Sequence, residues 1–144
     1  MARAAIVLIE NDQVALIRRE RAGAAPFYLF PGGSVEAGET AEEAAVREAY
    51  EELGIGVRLE GLLAVVEFNG DTQRYFRAAR VAGTFGTGQG AELAAPAASA
   101  TGSYTPVWLL LDDLPRRDVR PRALAELVAT RRIPAAPVAI ADTR

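Results

Sequence analysis

The sequence predicts an α/β protein, and three features lead to this class. Several apolar stretches have the length and composition of β-strands, a well-delimited helix lies early in the chain over residues 41–53, and an amphipathic helix lies late over residues 122–132. The 144 residues, of which 50% are hydrophobic and 24% charged, suffice for a buried core. We therefore expect a single domain over residues 1–144.

The first two strands are predicted to form a hairpin. The apolar run near the N-terminus is predicted to be a buried strand, residues 11–13 supply a turn, and residues 14–18 form the second strand. The first run is too short for a membrane span or a signal peptide. We therefore expect a cytoplasmic location and no membrane association.

The later strands are predicted from a second hairpin. Asn69-Gly70 is a strong turn signal between strands over residues 57–68 and 72–81, and a tight hairpin places Glu67 opposite Thr72. Another buried strand is predicted over residues 106–111. The aperiodic stretch 83–103 is predicted to be a flexible loop that either covers a site or is disordered, and the tail 134–144 is predicted to be loosely held.

The early helix has clear start and stop signals. Thr40 followed by Glu43 forms a capping-box pattern, and Gly54 stands where a left-handed C-terminal cap is expected, so the helix is predicted over residues 41–53. At about 100° per residue its apolar side chains gather on one side. The residues predicted to face the core are Val46, Ala49, Tyr50 and Leu53.

The opposite side of this helix collects negative charge. Glu48, Glu51 and Glu52 stand at i, i+3 and i+4, where like charges repel. Arg47, which is next to Glu51 on the helical projection, is placed to form a forked ion pair with it. A solvated acidic face is one explanation. The other is a Mg²⁺ site, because this ion takes carboxylate oxygens and shares its remaining positions with water and substrate phosphates.

The segment before the helix favours the Mg²⁺ site. A strand-like run over residues 27–30 leads through Pro31 to Gly32 and Gly33, where the chain is predicted to turn sharply and approach a ligand closely. With the helix, this segment resembles the Nudix hydrolase motif G-x5-E-x7-R-E-U-x-E-E-x-G-U, in which U is a bulky aliphatic residue. Ala49 departs from the first U position. The matching residues are Gly33, Glu39, Arg47, Glu48, Glu51, Glu52, Gly54 and Ile55.

The resemblance implies a fold and a reaction. The fold is an α/β/α sandwich with a mixed central sheet, and the activity is that of a Mg²⁺-dependent pyrophosphohydrolase, with Mn²⁺ as a substitute metal. Glu48, Glu51, Glu52 and the Gly32 carbonyl would hold the metal. Glu51 or Glu52 would take the proton from the attacking water.

The resemblance also implies supporting roles. Arg47 would orient Glu51, and Glu39 would support the loop before the helix. Two acids outside the motif, Glu67 and Glu92, are further candidates for the metal or the proton. The alternatives are a cross-strand partner of an arginine for Glu67 and a solvated loop carboxylate for Glu92.

The substrate implied is a nucleoside diphosphate linked to another group. Nucleoside triphosphates, including damaged ones, are the first candidate substrates, and nucleotide sugars and ADP-ribose are the next. Arg18 or Arg19 is predicted to reach a phosphate, although a solvated strand end explains both equally well. Candidates for stacking on a base, which are also ordinary core residues, are Phe27, Tyr28, Tyr75, Phe76 and Phe85.

Composition narrows the chemistry. The chain contains no histidine and no cysteine, which excludes a histidine base, thiolate chemistry and a zinc site built from these residues. The net charge of −3 argues against a general nucleic-acid-binding surface. A nucleotide-sensing module without hydrolysis is the alternative function, and a homodimer is left open.

Overall fold

The computed structural model describes residues 2–88 and 102–141. Within these ranges the two α-helices are α1 (Ala41–Leu53) and α2 (Arg122–Ala129), and a 3-10 helix spans Leu111–Arg116. The strands are β1 (Ala2–Glu10), β2 (Gln13–Glu20), β3 (Phe27–Leu29), β4 (Gly32–Ser34), β5 (Ile55–Phe68), β6 (Asp71–Gly83), β7 (Ser103–Leu110), β8 (Val119–Arg120) and β9 (Val138–Ala141).

Strand β1 is the centre of the fold. It pairs in parallel with β6 and antiparallel with β4, so neither of its edges is open where these strands meet it. Five successive residues of β1, from Ala4 to Leu8, are buried. A continuous apolar run is what a strand covered on both faces requires, which explains the pattern at the start of the sequence.

Each face of the sheet is covered by a helix. Alternate residues Ala4, Ile6 and Leu8 pack with α1, whereas Ala5 and Val7 pack with the 3-10 helix and α2. The strands contribute to both clusters because their side chains alternate between the faces. The mixed sheet between two helical layers confirms the predicted α/β/α architecture.

Both predicted hairpins are confirmed. The β1–β2 turn has positive φ at Asn11 (51°) and Asp12 (63°), and the β5–β6 turn has positive φ at Asn69 (51°) and Gly70 (83°). Two positive φ values suit the right-handed twist of hairpin strands. Register also agrees with the sequence, since Glu67 faces Thr72.

Strands β1 and β2 separate just beyond their turn. Their register ends after the pairs Ile9–Val14 and Glu10–Gln13. Further along, β4 takes the place beside β1, while β2 pairs with β3 and β7. The sheet therefore forks, and the space inside the fork is where the candidate site lies.

Three predictions outside the fork need correction. Strand β7 is half-buried rather than buried, because every one of its residues keeps part of its surface exposed. The late helix ends at Ala129, because Arg131 has a φ of 61° and cannot continue it. The tail is not loose throughout, because Val138–Ala141 extends the sheet as β9, parallel to β5.

An ion-pair cluster joins the end of α2 to the first turn. Arg131 donates through Nε (2.8 Å) and Nη2 (2.6 Å) to the two carboxylate oxygens of Asp12, and its Nη1 lies 3.1 Å from Asp112. The hydrogen bonds from Arg131 lower the pKa of Asp12 below its usual 3.8. The ionised form of Asp12 is therefore favoured in the folded protein.

We expect Asp12→Asn to lower the free energy of unfolding slightly at neutral pH, since Asn keeps the left-handed turn but not the charge. Because the native pKa is lowered, the contribution of Asp12 is present above the unfolded pKa and is lost as pH falls through the native pKa. Denaturant titrations of both proteins from about pH 7 to about pH 2 measure it. Asp112→Asn, which removes one bond to Arg131, is the control. A difference that persists unchanged at the lowest pH would contradict the assignment.

Candidate active site

The fork between β1 and β2 contains a cavity of about 310 Å³. Two arginines and three glutamates lie on its wall, together with the glycines of β4. Oxygen ligands and guanidinium groups therefore share one opening. The lining residues are Arg3, Ile17, Arg19, Leu29, Phe30, Gly32, Gly33, Ser34, Glu36, Glu48, Glu52 and Tyr104.

Helix α1 has the predicted ends. The Thr40 side chain accepts from the Glu43 N–H (3.0 Å), the Glu43 side chain accepts from the Thr40 N–H (2.9 Å), and Gly54 closes the helix with a φ of 78°. These caps fix where the helix starts and therefore which residues reach the cavity.

The predicted core face of α1 is wrong in part. Ala49 and Leu53 are buried as expected, but Val46 and Tyr50 are 38% and 67% exposed. Ala44 and Ala45 take their place. Small side chains allow the helix to approach the sheet closely. Burial of this side means that α1 is rotated about its axis relative to the prediction, so that Glu48 and Glu52 face the cavity.

Glu52 is the most buried of the three helix carboxylates. It is 6% exposed, and its Oε1 accepts the backbone N–H of Gly32 at 2.8 Å. A buried carboxylate needs hydrogen bonds to offset its lost hydration. This bond also ties the helix to β4.

The predicted turn is a bend at Pro31, whereas Gly32 and Gly33 themselves lie in β4. Their small size is required by close contacts instead. A Cβ on Gly32 would lie 2.4 Å from both the Ala4 oxygen and the Ala5 Cβ. A Cβ on Gly33 would lie 2.2 Å from Oε2 of Glu48. Because Gly33 has no side chain, the Glu48 carboxylate can lie directly beside β4.

Arg47 forms its forked bond with Glu39, not with Glu51 as predicted. Its Nε and Nη2 donate to the two oxygens of Glu39 at 2.8 and 3.1 Å. These bonds lower the pKa of Glu39 and raise that of Arg47. The Arg47 Nη2 also donates to the Ser34 carbonyl (3.0 Å), so this pair clamps the loop and β4 to the helix.

The remaining Arg47 contacts reach two helix carboxylates. Its Nη1 donates to Glu48 (3.0 Å) and to Glu51 (3.2 Å), so one amino group offsets the repulsion between them. Glu48 is 13% exposed, whereas Glu51 is 45% exposed and lines another cavity with Gly54. The structure therefore brings Glu48 and Glu52 to the main cavity, whereas Glu51 is not one of its lining residues.

The donor set suits Mg²⁺ with an open coordination sphere. Within the described residues, no group of three or more His, Cys, Asp or Glu side chains is placed to hold a metal by itself. Mg²⁺ commonly needs just one or two carboxylates and takes water and substrate phosphates for the rest. Glu48 and Glu52, with the Gly32 backbone beside them, provide such a set.

The two predicted phosphate-binding arginines differ in position. Arg19 is 6% exposed and lines the cavity. Arg18 points elsewhere and donates to Glu20 at 2.7 Å. Adjacent strand residues face opposite sides of a sheet, so just one of the two reaches the cavity.

Of the two acids predicted outside the motif, Glu67 does not line this cavity. Glu67 is exposed and accepts the Thr72 hydroxyl at 3.1 and 3.2 Å, so its partner is this hydroxyl rather than an arginine. Glu92 lies outside the described residues. The sequence alone had left the role of each of these two acids open.

A second cavity of about 190 Å³ adjoins the first and shares Arg3, Leu29 and Phe30 with it. Tyr75 lines it, lies edge-on to Phe30 (5.8 Å) and donates to Gln73 Oε1 (2.9 Å). The other predicted stacking residues do not line this second cavity. Phe76 is buried against the α1 layer, Phe85 lies 4.7 Å from Trp108, Tyr28 is half-buried, and Phe27 contacts arginine.

Sequence reasoning missed several residues of the site. Arg3 lies in an otherwise apolar strand, which is a signal for a functional side chain. Glu36 and Tyr104 carry no such signal, because a loop glutamate and a strand tyrosine are ordinary. Their places at the cavity depend on the forked sheet.

These observations define an α/β protein with a cavity between the glycine-containing strand β4 and the capped helix α1. Glutamate and arginine side chains line this cavity. Residues 1–129 match the family model of the NUDIX domain, and the chain belongs to this family. The resemblance deduced from the motif is confirmed. No helix in the described ranges is long and apolar enough to cross a membrane.

Individual relatives match over shorter stretches. The 8-oxo-dGTP diphosphatase of Escherichia coli is 41% identical over 64 residues, which is 44% of this chain and 50% of that protein. The ADP-ribose pyrophosphatase of Methanocaldococcus jannaschii is 44% identical over 59 residues, which is 40% of this chain and 35% of that protein. The matches thus span half or less of these relatives.

The fold is similar to that of a NUDIX hydrolase from Nitrosomonas europaea. The TM-score is 0.70 at 19% identity, and the alignment covers 98% of this chain and 78% of that one. This likeness supports the fold described above.

We expect Gly32→Ala to lower the free energy of unfolding by about 1–3 kcal/mol, because its methyl group meets atoms of β1 that cannot move aside. Gly33→Ala should cost less, because the atoms it meets belong to the flexible end of Glu48. Denaturant titration followed by Trp108 fluorescence measures both. Equal losses would show that β4 does not pack as tightly on β1 as described.

Proposed function

We propose that this protein is a Mg²⁺-dependent hydrolase that cleaves a diphosphate bond in a nucleoside diphosphate linked to another group. One observation carries the proposal: Glu48 and Glu52 share a cavity wall with Arg3 and Arg19. Carboxylates on one side suit a metal, and guanidinium groups suit the phosphate oxygens that the metal leaves unbound. Family membership agrees with this chemistry.

The metal is assigned to the helix carboxylates. Glu48 and Glu52 would hold Mg²⁺, or Mn²⁺ in its place, with Glu51 and the Gly32 carbonyl as additional ligands. When bound, Mg²⁺ supplies neutralisation of phosphate charge and activation of a water nucleophile. Arg47, which donates to Glu51 at 3.2 Å, would orient that carboxylate, and Glu39 would support the loop before α1 through its forked pair with Arg47.

Proton acceptance is assigned to Glu51 or Glu52. Glu51 is the more exposed of the two. Glu52 is better fixed, because Gly32 holds one of its oxygens. Glu67 and Glu92 remain less favoured, since Glu67 is engaged by Thr72 and does not line the cavity.

For the substrate we favour nucleoside triphosphates, oxidised purine ones included. The relative from E. coli is named an 8-oxo-dGTP diphosphatase, and this chain is 41% identical to it over 64 residues. The adjoining cavity, lined by Phe30, Phe68 and Tyr75, suits the group attached to the phosphates. ADP-ribose is the second candidate, because of the relative from M. jannaschii.

We expect Glu52→Gln to lower kcat roughly 10²-fold or more, the scale of losing an acid-base group or metal-ligand charge. Glutamine retains the oxygen that accepts the Gly32 N–H, so the fold should persist. Release of phosphate or pyrophosphate is measured for 8-oxo-dGTP, dGTP, nucleotide sugars and ADP-ribose, with Mg²⁺ and with EDTA.

Glu42→Gln is the matched control, since Glu42 is an exposed glutamate in the first turn of the same helix. It should leave turnover unchanged. Full activity of Glu52→Gln, or wild-type turnover in EDTA, would refute the assignment. No turnover of any nucleotide together with tight binding would establish the sensing module instead.

We expect Arg19→Lys to raise KM about tenfold, because lysine lacks the planar fork that matches phosphate oxygens. Arg18→Lys is the control, because Arg18 pairs with Glu20 and does not line the cavity. Steady-state kinetics of both variants on the best substrate of the panel measures the contrast. If the two variants have the same KM, Arg19 does not bind the substrate.

A further inference from the structure

A row of alternating rings and guanidinium groups crosses the sheet beside the main cavity. Tyr104 on β7 and Phe27 on β3 are the direct cross-strand partners of Arg19 on β2. Side chains directly opposite each other on neighbouring strands share one face of the sheet. The register therefore places Arg19 between two aromatic residues.

The distances show that the rings contact the guanidinium. Cζ of Arg19 lies 3.7 Å from the centre of the Tyr104 ring and 5.7 Å from that of Phe27. Both values are within the range of cation–π attraction, and the shorter one places the guanidinium carbon of Arg19 over the Tyr104 ring. Tyr104 is thus the main partner of the two.

Phe27 also carries a second cation. Cζ of Arg120, on β8, lies 4.0 Å from the Phe27 ring centre. Arg120 in turn donates through Nε (3.1 Å) and Nη2 (2.9 Å) to the two oxygens of Asp118. The fork to Asp118 fixes the plane of Arg120, and Arg120 in turn restrains the Phe27 ring.

Stacking restrains a guanidinium differently from an ion pair. A ring engages the flat face of the group, whereas its N–H donors lie in the plane and point away from the ring. A stacked guanidinium therefore keeps a fixed plane and a fixed direction for its donors. Arg19 is held in this way at the wall of the cavity, where it is 6% exposed.

We propose that Tyr104 and Phe27 are positioning residues that fix the plane of Arg19 so that its donors meet an anionic group of the bound nucleotide. This inference rests on the proposed function and adds to it the residues that set the affinity for the phosphate chain. A rigid fork loses little freedom on binding, which improves affinity for the ground state and the transition state alike. The expected signature is a change in KM with kcat nearly constant.

The test compares Tyr104→Leu, which removes the ring, with Tyr104→Phe, which keeps it. Trp108→Leu is the matched control, since Trp108 lies on the same strand and face, is half-buried in the same layer and stacks on Phe85 without an arginine. Melting temperature, KM and kcat are measured with Mg²⁺ and 8-oxo-dGTP. Affinity for inorganic imidodiphosphate is measured by calorimetry.

We expect Tyr104→Leu to raise KM and weaken imidodiphosphate binding about tenfold, or about 1.4 kcal/mol. Tyr104→Phe should restore both values, and Trp108→Leu should lower the melting temperature without changing either. Equal KM for Tyr104→Leu and wild type, or no rescue by phenylalanine, would overturn the inference. If Tyr104→Leu does not fold, Phe27→Leu against Phe27→Tyr gives the same comparison.

The two proposals fail separately. A wild-type protein that hydrolyses none of the nucleotides refutes the proposed function. The inference about Tyr104 is then still tested by imidodiphosphate binding, which Tyr104→Leu should weaken and Trp108→Leu should not.

Discussion

The contact between α1 and β4 is the constraint on which the site depends. The Gly32 N–H donates to the buried Glu52 carboxylate, and at Gly33 there is no room for a side chain beside Glu48. Strand and helix meet without intervening side chains, so the carboxylates lie directly against backbone. A buried carboxylate is tolerated when hydrogen bonds replace its hydration. The rotation of α1 and the glycines of β4 both follow from this contact.

Charge repulsion on α1 is offset within the protein. Like charges one turn apart destabilise a helix, and here Arg47 donates to both Glu48 and Glu51 through one amino group. The same guanidinium forms a fork with Glu39, whose pKa it lowers. One arginine thus serves as a charge partner for the helix and as a clamp for the preceding loop. The acidic face is therefore preorganised by the fold before any cation is bound.

The forked sheet brings opposite charges to one opening. Because β4 replaces β2 beside β1, side chains from β1 and β2 line the same cavity. Arg3 comes from β1, Arg19 from β2, and the acids Glu48 and Glu52 from α1. Rigid strands hold side chains more firmly than loops do, and the row through Tyr104 restrains Arg19 further. Positive and negative groups thus line the same cavity.

The sequence by itself determined the ends of α1, both hairpins and the family, because these depend on local signals: the Thr40 cap, the Asn69-Gly70 turn and the motif spacing. The layered fold followed from the family resemblance. Tertiary structure decided which side of α1 is buried, since alanines rather than Val46 and Tyr50 let the helix approach the sheet. It also decided the partner of Arg47 and the place of Tyr104. These depend on contacts between residues far apart in the chain, which no local pattern encodes.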